Sequence, residues 1–144
     1  MGGVKRLPMQ SFTITAELAE IDKARAFLRN ALQNRDLSEE DFFKLDLSLV
    51  EMCTNIILYA YPETKGSIEL RLWEEDGRIY LEIRDSGIPF DPSRVKKPDI
   101  EDIIKAGQKG GLGIYLSKTF MDEFDYKRQA GQNILTLVKK IKSV

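Results

Sequence analysis

Apolar residues change their spacing several times along this chain, and each change marks an element. Ser11 to Leu18 alternates, with Phe12 and Ile14 on one parity, which predicts a strand. From Ala19 to Gln33 the apolar positions Ile21, Ala24, Leu28, Ala31 and Leu32 follow helical spacing. Ser38 reads as an N-cap with Asp41 as its capping-box partner. The helix it opens is expected to run to about Tyr61 and stop before Pro62, with Phe43, Leu47, Val50, Ile57, Leu58 and Tyr61 marking its apolar face.

Two alternating runs follow. Ser67 to Trp73 carries Ile68, Leu70 and Leu72, and Arg78 to Asp85 carries Ile79, Leu81 and Ile83. Asp76-Gly77 between them predicts a hairpin turn. Ser86 to Lys109 is irregular and holds Pro89, Pro92 and Pro98, with room for a short helix over Ile100 to Ala106. Gly111 to Met121 reads as a helix, and Glu123–Gln129 with Asn133–Ile141 as a closing hairpin around Ala130-Gly131-Gln132. The order is β-α-α-β-β-lid-α-β-β. Clustered hairpins predict a two-layer α/β sandwich, with helices on one face of a mixed, mostly antiparallel sheet.

Composition narrows the chemistry. A chain of 144 residues suits one domain with one sizeable core. The formal net charge of -1 and the lack of a long like-charged block recommend neither nucleic acid nor an anionic membrane as partner. No apolar run approaches the roughly 20 residues that span a bilayer, and Met1 to Gln10 lacks the apolar stretch of a signal peptide. The single cysteine, Cys53, forbids an internal disulfide or a CxxC site. Together these favour a cytoplasmic protein. Histidine is absent, which removes imidazole bases, histidine-based metal sites and any phospho-acceptor histidine in this chain. A catalytic base here should be a carboxylate or a lysine.

Four features are candidates. Glu51 and Asn55 sit four apart on one stripe of the central helix, in an otherwise apolar segment. There they need partners, because a stranded polar group costs about 1–3 kcal/mol. Asparagine offers a carbonyl oxygen suited to Mg²⁺, and glutamate a base or a water-orienting acceptor. The plainer alternative has Glu51 in solvent and Asn55 bonded to a nearby loop. Asp85 shares parity with Ile79, Leu81 and Ile83, so it points to the same buried side at the strand's end. Its ionised carboxylate would accept from the exocyclic amine of adenine and repel the keto oxygen of guanine. Gly87 would let the backbone approach a flat ring closely; alternatively Asp-Ser-Gly is a simple strand exit. Gly110, Gly111 and Gly113, with Leu112 among them, precede and open a helix, where free N–H groups bind anions, and Lys109 could reach a terminal phosphate. This is neither a dinucleotide fingerprint nor a Walker A loop, and a glycine turn before a helix would look the same. Finally, Ser86 to Lys109 is long enough for a lid, or for a flexible insertion.

Taken in order, Glu51-Met-Cys-Thr-Asn55, then Asp85-Ser-Gly87-Ile-Pro-Phe-Asp91-Pro92, then Gly110-Gly-Leu-Gly113-Ile-Tyr-Leu resemble the N, G1 and G2 boxes of the GHKL (Bergerat-fold) ATPase/kinase superfamily. Gly87-Ile-Pro-Phe-Asp91-Pro92 and Phe120-Met121-Asp122-Glu123 are similar to the anti-sigma-factor serine/threonine kinases, the bacterial switch-protein kinases. The resemblance covers Phe12 to Ile141. It implies that Asn55 coordinates Mg²⁺, that Glu51 is the general base for an acceptor serine, and that Asp85 binds the adenine amine with Gly87 beneath the ring. It further implies that Gly111 and Gly113 contact the phosphates of ATP. Lys109 stands where related kinases carry an arginine, and a point charge lacks the bidentate fork. Tyr59 stands where many relatives have histidine. The activity implied is phosphoryl transfer from ATP to a STAS-type antagonist protein, with a sigma factor or other effector as competing partner and a homodimer as the assembly. Three other readings compete: an ATP-binding regulator that sequesters partners without catalysis, a free-standing histidine-kinase-type catalytic domain, and a structural α/β protein that binds no nucleotide.

Overall fold

The computed structural model describes residues 8–94 and 110–141. Strand β1 (Gln10–Thr15) leads through a 3-10 turn at Leu18–Glu20 into α1 (Ile21–Leu32). Helix α2 (Glu39–Asn55) follows and continues as a π-helical turn over Ile56–Ala60. Strands β2 (Ser67–Glu75) and β3 (Arg78–Asp85) precede a 3-10 turn at Pro92–Arg94. Helix α3 (Gly110–Phe120), β4 (Glu123–Gln129) and β5 (Gln132–Lys140) complete the described chain. The expected short helix over Ile100 to Ala106 lies outside the described residues.

The strands form one sheet in the order β1-β2-β3-β5-β4, and every neighbouring pair is antiparallel. Two turns set its register. Asp76 and Gly77 have φ of 52° and 74°, and Ala130 and Gly131 have φ of 52° and 76°. Two successive residues at positive φ make the tight hairpin that matches strand twist. The second loop is therefore two residues, with Gln132 already in β5 rather than in the turn as expected. The first half of the chain fills one edge of the sheet. Its last strand, β5, then inserts between β3 and β4, which brings the end of β3 beside the start of β5.

The three helices among the described residues pack on one side of the sheet. The core runs from Ile14 through Leu28, Leu45, Leu49 and Met52 to Leu70, Leu81, Ile83 and Leu137. Ser38 caps α2 as predicted, its Oγ accepting from Asp41 N at 3.0 Å, while the Asp41 carboxylate faces Lys139 Nζ at 3.7 Å. The expected apolar face of α2 is right only in part: Tyr61 is buried and Val50 and Ile57 pack against the core, but its centre lies elsewhere. Leu45, Leu49, Met52, Cys53, Ile56 and Ala60 are buried, whereas Phe43 and Leu58 are 57% and 48% exposed. The helix is apolar on several sides because α1 and α3 flank it. Phe43 meets Phe120 of α3 at 6.4 Å between ring centroids instead of entering the core. The Ile56–Ala60 π turn further rotates the residues beyond it away from the α-helical period.

Candidate functional site

The site begins with the pleat. Asp85 ends β3 on the face that carries Ile79, Leu81 and Ile83, and it is 2% exposed, as strand parity requires. Its cross-strand partner in β5 is Asn133, which is also buried, and Asn133 in turn pairs with Arg128 of β4. Asp85 Oδ1 accepts from Gly87 N at 2.9 Å and from Asn133 Nδ2 at 2.8 Å. Its Oδ2 receives no hydrogen bond from a described residue. Burial pushes the Asp85 carboxyl above its ordinary range, against the lowering effects of Asn133, Gly87 N and the Arg128 charge.

Asn133 is a pocket residue that the sequence pattern did not single out. Its Nδ2 also donates to Ile88 O at 2.9 Å, while its Oδ1 accepts from Tyr126 Oη at 2.5 Å and Phe90 N at 3.3 Å. A signal was present: Asn133 shares parity with Leu135 and Leu137, the same argument that turned Asp85 inward. Asp85 and Asn133 line a pocket with Met52, Asn55, Ile56, Phe90, Pro92, Tyr126 and Leu135. Its walls are mostly apolar with a few polar groups among them, the general pattern of a small-molecule site.

Asn55 also lines this pocket, and Glu51 lies one turn before it on α2. Asn55 is 3% exposed. Its Nδ2 donates back to Glu51 O at 2.8 Å, and no described residue donates to its Oδ1. The amide is thus held with an oxygen to spare. Glu51 is half-buried on α2, and burial raises its carboxyl above the ordinary range. Gly113 of α3 lies directly against it, since a Cβ there would come within 2.0 Å of Glu51 Oε2. Gly113 therefore makes room for the carboxylate, whatever else it contacts. Gly87 likewise has a local reason to be glycine. A Cβ would meet the Ala60 carbonyl oxygen at 2.3 Å, so the missing side chain faces the π turn.

Of the phosphate candidates, Gly110, Gly111 and Leu112 lie in the first turn of α3, where only their backbone is described. Lys109 lies outside the described residues. The π turn after Asn55 places Tyr59 on Phe90, with ring centroids 5.2 Å apart. Tyr59 thus supports the aromatic that walls the pocket. Among the described residues, no His, Cys, Asp and Glu cluster could hold a metal by itself. The spare oxygen of Asn55 is nonetheless a hard donor that would suit a Mg²⁺ ion taking its remaining positions from phosphate and water.

Among the described residues, a five-stranded antiparallel sheet covered on one side by three helices, with an inward carboxylate at a strand end sharing a pocket with a helix asparagine, defines a two-layer α/β class. The sequence profile of the histidine kinase-like ATPase domain matches residues 14–139, and the chain belongs to that family. It is 24% identical over 136 residues to the serine-protein kinase RsbW of Bacillus thuringiensis and to that of Bacillus cereus, covering 92% of this chain and 85% of each relative. Among solved structures, the RsbU and RsbW domains of a Mycobacterium tuberculosis protein match at a TM-score of 0.67 and 19% identity, over 93% of this chain and 32% of that one. A chain of the SiaB–SiaC complex from Pseudomonas aeruginosa matches at a TM-score of 0.56 and 17% identity, over 92% of this chain and 89% of that one. These structures share the fold. The family implies ATP binding, and the chain is a distant homologue of the RsbW serine kinases. No helix among the described residues is long and apolar enough to cross a membrane.

Proposed function

We propose that this chain is an ATP-dependent serine/threonine protein kinase of the partner-switching kind, acting on a STAS-type anti-sigma-factor antagonist. One observation carries the kinase step: the desolvated carboxylate of Glu51, one helical turn from Asn55 and set against Gly113. The adenine amine donates to Asp85 Oδ2. Its ring enters the pocket to which Met52, Ile56, Phe90 and Leu135 contribute apolar walls. Asn55 Oδ1 would hold Mg²⁺ with ATP, and the ion neutralises phosphate charge when bound. Glu51 accepts the proton of the substrate hydroxyl as that oxygen attacks the terminal phosphorus. The bond to the bridging oxygen breaks, and ADP leaves. Burial suits Glu51 to this step because it makes the carboxylate a stronger base, and a positioned base contributes about 10²–10⁴-fold.

The RsbW relatives support the protein-kinase reading, and the occurrence of a similarly folded chain in a two-protein complex supports a protein partner. A sigma factor or other effector competes for the same kinase, which works in the cytoplasm as a homodimer. The test is Glu51→Gln. It should abolish phosphoserine formation on a STAS-type partner, a loss of 10²-fold or more by the usual contribution of a base, while ATP-Mg still stabilises the protein against heat. A variant that phosphorylates as fast as the parent overturns the assignment.

A further inference from the structure

Asn133 belongs to no motif that the functional assignment uses, yet it is the most fully engaged polar side chain around the pocket. An asparagine amide has two N–H donors and two acceptor lone pairs. Here all four are filled: Asp85 Oδ1 and Ile88 O take the donors, and Phe90 N and Tyr126 Oη fill the acceptor. These partners come from β3, from the segment after it and from β4, so the amide cannot flip without breaking bonds on every side. Nothing of Asn133 is left for a ligand. Its effect on one must pass through the groups it holds, Asp85 first among them.

We propose that Asn133 is a positioning residue for purine selection: by occupying Asp85 Oδ1 together with Gly87 N, it leaves Oδ2 as the acceptor that reads the base. A free carboxylate can rotate and offer either oxygen, or take a proton and donate to a keto group. The bond from Asn133 opposes both. It fixes the plane of the carboxylate, and it favours the ionised form, which only accepts. The other charged or titratable groups facing Asp85 are Arg128 of β4, whose Nη1 donates to Gly87 O at 2.8 Å, Tyr61 at the end of the π turn, and Tyr126. None of these donates to the carboxylate. The same amide bonds Ile88 O and Phe90 N, so it also sets the pocket wall against the residue that reads the base.

The proposal rests on the ATP reading above, and its test separates the two. Equilibrium binding of ATP and of ITP, which carries a keto oxygen in place of the amine, is measured on the parent and on Asn133→Leu. Titration of the Asp85 carboxyl is followed by carbon NMR without nucleotide. The expected result is a preference for ATP over ITP reduced about tenfold, the worth of one charge-assisted bond, and an Asp85 titration moved upward. Should Asn133→Leu not fold, Tyr126→Phe removes one of the two donors holding the amide. It should move both readouts in the same direction by less. A folded variant with unchanged preference and unchanged titration overturns the proposal. A parent that binds neither nucleotide sinks the ATP reading instead, and the nucleotide-free titration still decides whether Asn133 governs Asp85.

Discussion

Gly113 shows how much one residue can carry. Glycine in a helix interior is worth about 1 kcal/mol less than alanine, so Gly113→Ala should strengthen α3 in isolation. In the fold its new Cβ would lie 2.0 Å from Glu51 Oε2. Cδ and Cγ of Glu51 would lie at 2.5 and 3.0 Å, so the whole flexible side chain must swing away; that displacement offsets the helix gain and disturbs the chemistry most. Gly113→Ala is expected to leave the melting temperature nearly unchanged while phosphotransfer falls further than ATP affinity. Parallel thermal and kinetic assays check this, and an unimpaired rate would show that Glu51 does not need its present seat. The sequence marked Gly113 as special through a glycine run. It could not show that the reason includes a residue on another helix.

At the scale of elements, the π turn is the joint between the α2 carboxylate and the sheet. Tyr61, at its end, donates from Oη to Ser67 O at 2.9 Å and accepts from Ser86 N at 2.7 Å. One side chain thus ties the first residue of β2 to the residue just beyond Asp85. Gly66 lets the chain pass close to that ring, since a Cβ would sit 2.2 Å from Tyr61 Cε1. Tyr61→Phe keeps the ring and loses both bonds. It should cost about 1 kcal/mol in chemical denaturation, the usual net value of a hydrogen bond or slightly more. The Ser86 amide should also exchange faster with solvent. An amide protected as well as in the parent would count against the strap.

For the whole molecule, carboxylates shifted in opposite directions contribute to the pH response. Glu51 and Asp85 are both raised by burial, so the folded chain holds their protons more tightly than the unfolded chain does. Their contribution to stability is present below the unfolded carboxylate range, about pH 4, and is lost as pH rises through the folded values. Asp122 runs the other way. Burial raises it, but bonds from Lys140 N and Lys139 outweigh this and hold it low, so its contribution is lost as pH falls through its folded value. Glu51→Gln removes one member of the first group. It should match the parent's stability below about pH 4 and exceed it increasingly toward pH 7. Urea denaturation across that range checks this, and a flat difference would mean that Glu51 is well solvated.

Local physics made much of this protein legible. Period-two alternation located strands β1, β2 and β3, because the pleat of a strand depends only on its own backbone. The same pleat turned Asp85 inward, and Asp76-Gly77 specified its hairpin through the positive φ that glycine permits. The order of three short motifs carried the family. What the sequence left open was what stands beside each element. The buried stripe of α2 was misjudged because that helix is apolar toward two neighbouring helices as well as the sheet, and periodicity cannot rank three apolar neighbours. Asn133 was passed over because its four partners are brought together only when β5 inserts between β3 and β4. Gly87 and Gly113 were read for a ligand, when each also faces a neighbour, Ala60 or Glu51, that only the tertiary packing supplies.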